Sequence, residues 1–151
     1  MKPKKIREER IKGKIRDIID SINIVGDNLP TDFEDFVSLG LIKEGIYKKI
    51  EFAVESIIDI CNIINSDLEL GAPESEDHIL DHIIEAKVLD KKTINLIRDM
   101  KKFRNILIHK YGNIDDEKAF YNISEGLKYF ELIIKEFEVF LEKMSKKEEK
   151  K

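Results

Sequence analysis

Five side chains able to bind charge or move a proton fall in one short stretch, as Arg104 and Asn105 followed by His109, Lys110 and Tyr111, in a chain with only 3 His and 4 Tyr. An imidazole titrates near about pH 6.5 and can give or take a proton at cellular pH. A guanidinium stays charged and presents parallel donors to an oxyanion. The stretch is locally basic, with Arg98, Lys101, Lys102, Arg104 and Lys110 against Asp99. Proton transfer beside an anionic ligand is the chemistry these residue types suit.

Their spacing sets a geometric condition. At about 100° per residue, Arg104 and Tyr111 share one stripe of a helix, and Asn105 and His109 share another. His109 lies roughly 140° from Arg104, so a straight helix does not aim both at one atom. Convergence requires an unwinding near His109 or a second copy of the chain. Gly112 and Asn113 follow as a stop signal, which puts the cluster on a last turn.

The arginine, the polar residue after it, the histidine and the tyrosine resemble the Arg-x4-His-x-Tyr signature of HEPN domains, and more narrowly the HepT-like toxins that pair with a minimal nucleotidyltransferase antitoxin. Ile50 to Asn62 and Glu85 to Leu89 are similar to helical segments of that family, and the resemblance spans Phe33 to Phe140. Lys101 and Lys102 depart from it, standing where smaller and less charged residues are expected.

The resemblance implies the toxin of a type VII-like toxin–antitoxin system: a metal-independent endoribonuclease, with no cofactor, acting as a homodimer on RNA. RNA supplies its own nucleophile, the 2′-hydroxyl. His109 would then shuttle protons and Arg104 stabilise charge building on the phosphate. Asn105, Lys110 and Tyr111 are the candidate substrate-binding residues: Asn105 to orient the imidazole or hold substrate, Lys110 to attract the backbone, Tyr111 to donate to a phosphate or stack on a base. Tyr111 is also the implied acceptor of AMP from the antitoxin, a modification that adds bulk and negative charge where RNA would lie. Two other readings stay open. One is a non-catalytic helical adaptor, or nucleotide-binding subunit of a nucleotidyltransferase complex; the other is a purely structural homodimer. In the first, Arg104 and His109 are ligands only; in the second, Arg104 pairs with an acidic residue, His109 serves the helix C-terminus when protonated, and Tyr111 covers the core edge.

Other elements must position this stretch. The 151 residues fit one domain, 1–151, with charged ends expected to fray at 1–5 and 144–151. Apolar content of 42% with 38% charged residues fits long helices with one solvated face. A net charge of −4 and pI of about 5.5 confine RNA binding to a local basic patch. The single cysteine, Cys61, excludes an intrachain disulfide and falls on an apolar helical pattern. No apolar run reaches the ~20 residues that span a bilayer, and no signal core precedes the first helix; a cytoplasmic address and no membrane partner are expected.

Apolar spacings of three and four residues predict the helices. Ile15, Ile18, Ile22, Val25 and Leu29 mark the first, closed by Pro30. Phe33, Phe36, Leu39 and Leu41 anchor a loop or short helix. Ile46, Ile50, Ile57, Cys61, Ile64 and Leu68 define a central helix over about 43–70. Ser75 caps a shorter one carrying Ile79, Leu80, Ile83, Ile84 and Val88. Asp90 caps the motif helix, whose buried line is expected to be Leu96, Met100, Phe103 and Leu107 with Arg104 beside it. Asp115 or Asn113 starts a last helix with Phe120, Ile123, Leu127, Phe130, Ile134, Phe137 and Leu141 in heptad order. The expected fold is all-α, an up-and-down bundle of four long helices plus a shorter fifth. His78 and His82, one turn apart, have a metal-like spacing but no third ligand, so no metal site is assigned.

Overall fold

The computed structural model describes residues 5–109 and 113–149. Lys110 and Tyr111 lie outside the described residues. Six helices form the fold: α1 (Glu8–Asn28), α2 (Phe33–Val37), α3 (Leu41–Asp67), α4 (Glu76–Glu85), α5 (Lys91–His109) and α6 (Asp116–Glu149). The four long ones and the shorter α4 match the expected bundle, and the anchor segment before α3 is the single-turn α2. The last helix continues to Glu149, through much of the stretch expected to fray.

The central helix is α3. It packs against α1 along one flank and against α4 and α5 along another, so from Ile57 to Ile64 most of its circumference is buried, Cys61 included. Burial pushes the Cys61 thiol up to about 12, which keeps it protonated and leaves it a small apolar filler. Ile11, Ile15, Ile18, Ile22 and Val25 of α1 lie against it as one buried stripe. Arg7 ties the start of α1 to the end of α3, donating from its backbone N–H and its Nε to Asp67 at 2.8 Å each.

The short α2 carries one large anchor, Phe36, fully buried and edge-on to Tyr47 of α3 at 5.8 Å between ring centroids. Gly40, at φ 61, turns the chain from α2 into α3, a backbone region that a side chain makes costly. Leu41, expected as a further anchor, is instead 87% exposed at the mouth of α3. Capping follows the expected residues. Ser75 Oγ accepts from His78 N at 3.1 Å, Asp90 Oδ1 from Thr93 N at 2.8 Å, and Asp115 Oδ1 from Lys118 N at 3.1 Å.

The motif helix is turned from its expected seating. Its buried residues are Thr93, Ile94, Ile97, Arg104 and Leu107, while Leu96, Met100 and Phe103 are only partly covered. The reason is the packing of α5, which sits chiefly on α3 and meets α4 and α6 to a similar, smaller extent. That leaves a groove of about 220 Å³ between α5 and α6, floored by Ile50 and Val54.

Candidate active site at the end of helix α5

Rotation of α5 toward α4 places Arg104 within the buried stripe, only 7% exposed. Its guanidinium meets Glu76 in the first turn of α4, Nη2 donating to Oε1 at 2.7 Å and Nη1 to Oε2 at 3.3 Å. Asn105 Oδ1 accepts from Nη2 at 3.0 Å and, more weakly, from Nε at 3.4 Å. Asn105 therefore contacts the arginine next to it, where orienting the imidazole or holding substrate was expected of it.

The other cations of the stretch are also engaged. Lys101 Nζ lies 3.1 Å from Asp77 and 3.9 Å from Glu76, and Arg98 Nη2 donates to Asp81 at 2.5 Å. Arg98, Lys101 and Arg104 thus form a ladder on α4 acids, and the local positive charge expected from sequence is largely neutralised by a helix whose partners are distant in sequence. Lys102 points to solvent.

His109 is the last described residue of an α5 that stays helical throughout. It is exposed and, among the described residues, makes no hydrogen bond or ion pair. It shares its face with exposed Lys102 and Ile106 at helical spacing, away from the α4 face that holds Arg104. The helix does not unwind before the imidazole, and Arg104 and His109 leave it in different directions.

A second polar cluster lies near this end and escaped the sequence reading. Asp116 at the start of α6 accepts from Lys43 Nζ at 2.8 Å and from Tyr47 Oη at 2.5 Å. A small pocket of about 130 Å³ opens between these groups, Leu107 and Ile114. Burial alone would raise the Asp116 carboxyl, but the bonds from Lys43 and Tyr47 outweigh it and hold it below its ordinary value. Burial first, and then the bond to Asp116, drive the Tyr47 phenol far above its usual range. The available signal was Lys43 and Tyr47 one turn apart on α3; nothing local pointed to Asp116.

His78 and His82 are not idle surface histidines. His78 Nδ1 accepts from Glu74 N at 3.0 Å, and His82 Nδ1 sits 2.7 Å from Asn65 Oδ1, whose amide nitrogen donates to the Gly71 carbonyl at 2.9 Å. The two rings, 4.2 Å apart, clasp the α3–α4 connection. Among the described residues no group of three or more His, Cys, Asp or Glu is placed to hold a metal.

Residues 15–137 match the family model described as ribonuclease HepT-like. The chain belongs to the HepT-like ribonuclease family. The match contains α2 to α5 whole, with Arg104, His109 and Tyr111 inside it. This HepT-like chain is also 23% identical over 139 residues to a candidate RNase of Archaeoglobus fulgidus, covering 92% of this chain and 98% of that one. Its fold is similar to the HEPN toxin of Shewanella oneidensis, solved tri-AMPylated in complex with an MNT antitoxin, with a TM-score of 0.76 at 22% identity over 85% of this chain and 96% of that one. A Bacillus subtilis cytosolic protein of unknown function shares the fold at a TM-score of 0.74 and 17% identity, over 92% and 93% of the two chains. No helix among the described residues is long and apolar enough to cross a membrane.

Proposed function

We propose that this HepT-like ribonuclease is the toxin of a type VII-like toxin–antitoxin pair, a cytoplasmic, metal-independent endoribonuclease that works as a two-fold homodimer and is neutralised by AMP transfer to Tyr111. The observation that carries the reading is the divergence of Arg104 and His109 on an unbroken helix. A second copy can bring the imidazole of one chain to the guanidinium of the other. The open α5–α6 groove leaves Leu96, Met100 and Phe103 half-covered, apolar surface that a second copy can close over, on a side of α5 turned well away from His109.

In the proposed reaction His109 takes the proton of the 2′-hydroxyl, whose oxygen attacks the adjacent phosphorus. The bond to the 5′-oxygen breaks, leaving a 2′,3′-cyclic phosphate and a 5′-hydroxyl that regains a proton. Arg104 offsets the charge growing on the non-bridging oxygens. Asn105 holds the guanidinium, and Lys110 and Tyr111 engage the RNA. In the silencing step the phenol oxygen of Tyr111 attacks the α-phosphorus of ATP, pyrophosphate leaves and the phenol proton is lost. The minimal nucleotidyltransferase antitoxin supplies the machinery for that transfer.

Cleavage of RNA in EDTA tests the reading. His109→Ala should lower the rate about 10² to 10⁴-fold, the usual worth of a general acid-base; undiminished cutting would move the chemistry elsewhere. Mass spectrometry after incubation with the antitoxin and ATP should place the adenylyl group on Tyr111. The reading as a purely structural homodimer draws support from one feature, the engagement of Arg104 by Glu76. It predicts that Arg104→Ala leaves every cellular phenotype unchanged.

A further inference from the structure

Among the described residues Arg104 is the one buried arginine, and the carboxylate that meets it comes from another helix. We infer that Glu76 is a positioning residue for the proposed nuclease site, holding the Arg104 guanidinium in one orientation with a single N–H left for a phosphate oxygen. The inference rests on the ribonuclease reading of Arg104 but assigns a residue that this reading does not use.

A guanidinium has five N–H donors. Nε and one N–H of Nη2 are taken by Asn105, the other N–H of Nη2 and one of Nη1 by Glu76. One N–H on Nη1 is uncommitted. The two contacts to Glu76 form a fork, which fixes the plane of the group as well as its place. Glu76 is itself fixed: it occupies the first turn of α4, where a carboxylate is favoured by the helix N-terminus, behind the Ser75 cap and with Lys101 Nζ at 3.9 Å. The arginine near the end of α5 is thus aligned by an element rooted elsewhere in the bundle.

Three roles for Glu76 predict different kinetics. As a positioning residue its loss misorients Arg104, and misplacement of a charge-stabilising group by about 1 Å can cost on the order of 10²-fold. As mere neutralisation of a buried cation, its loss lowers stability and leaves turnover per folded molecule unchanged. As a latch competing with RNA, its loss raises kcat/KM.

The test measures kcat and KM for an RNA substrate with wild type, Glu76→Ala and Glu76→Gln, normalised to folded protein by circular dichroism. Expected is a fall in kcat of roughly 10 to 100-fold for Glu76→Ala with KM unchanged or lower. Glu76→Gln, which keeps one acceptor oxygen, should fall between Glu76→Ala and wild type. In an Arg104→Ala background Glu76→Ala should cost nothing more, because the two act as a unit. Unchanged kcat, a raised kcat/KM, or a full additional loss in that background would each overturn the inference. The ¹H–¹⁵N signal of the Arg104 Nε–H, assigned by its loss in Arg104→Ala, supplies a readout independent of turnover. It should be sharp in wild type and broaden in Glu76→Gln, while an unchanged signal rejects the clamp. If wild type itself does not cut RNA, the nuclease reading fails, and this spectrum still decides whether Glu76 holds the guanidinium.

Discussion

His109 and Arg104 occupy opposite electrostatic situations although both belong to the last two turns of one helix. The imidazole is exposed and unpartnered among the described residues; the guanidinium is buried and committed to a carboxylate. The Lys43–Tyr47–Asp116 cluster is a third situation, a polar group held by two donors at the base of α6. Its pH dependence follows from the lowered Asp116 carboxyl. A carboxyl whose folded pKa is depressed contributes stability that is present above its unfolded pKa and lost as pH falls through its folded value. Asp116→Asn should therefore destabilise the protein by about 1–3 kcal/mol at neutral pH, the range for a hydrogen-bonded charge that loses its partner. The gap from wild type should close in acid, as pH drops from the ordinary carboxyl range toward the lowered value of the folded Asp116. Urea melts at a series of pH values read this directly, and a gap that widens in acid would reverse the assignment.

At the scale of elements, the contact between α4 and α5 is a ladder of three rungs with unequal worth. Asp81 is 54% exposed on its side chain and its pair with Arg98 is screened by water, so Asp81→Asn should cost less than about 1 kcal/mol. The rung at Arg104, whose side chain is 8% exposed, is different, because removal of its partner strands a buried cation. Glu76→Ala should cost roughly 2–3 kcal/mol in a denaturant melt, less than a fully buried pair because Glu76 itself reaches water. Equal costs at the two rungs would mean that burial does not rank them. The same ladder explains what was legible. Apolar spacing located the long helices and the Ser75, Asp90 and Asp115 caps because those signals lie within a few residues. The neutralised basic face and the Glu76 partner were hidden because the rungs join residues from 17 to 28 apart. The rotation of α5 was hidden for a related reason: Leu96, Met100 and Phe103 have the spacing of a buried line, and whether α6 closes over them is a tertiary fact.

For the whole molecule, the decisive question is whether a working site is built within one chain or between two. The groove between α5 and α6 leaves Phe103 half-covered, and a Cβ at Gly126 on its far wall would meet nothing within 4 Å, so the groove is open at both of these positions. If the proposed dimer closes over this groove, Phe103→Glu should leave the chain helical but shift sedimentation from dimer to monomer and abolish cutting with it. Mixing gives the sharper result. Arg104→Ala and His109→Ala chains are each expected to be inactive alone. After unfolding and refolding together in equal amounts, half the dimers should contain one of each. If a site takes its arginine from one chain and its histidine from the other, every mixed dimer has one intact site, and activity should return to about a quarter of wild type by the statistics of two-fold assembly. If both groups serve a site within their own chain, each chain carries a lesion in its only site and mixing restores nothing. Titrating the ratio of the two variants should give a bell-shaped recovery with its maximum at equal amounts, since heterodimers are most numerous there, and a flat baseline would reject the shared site while leaving each single-variant result intact.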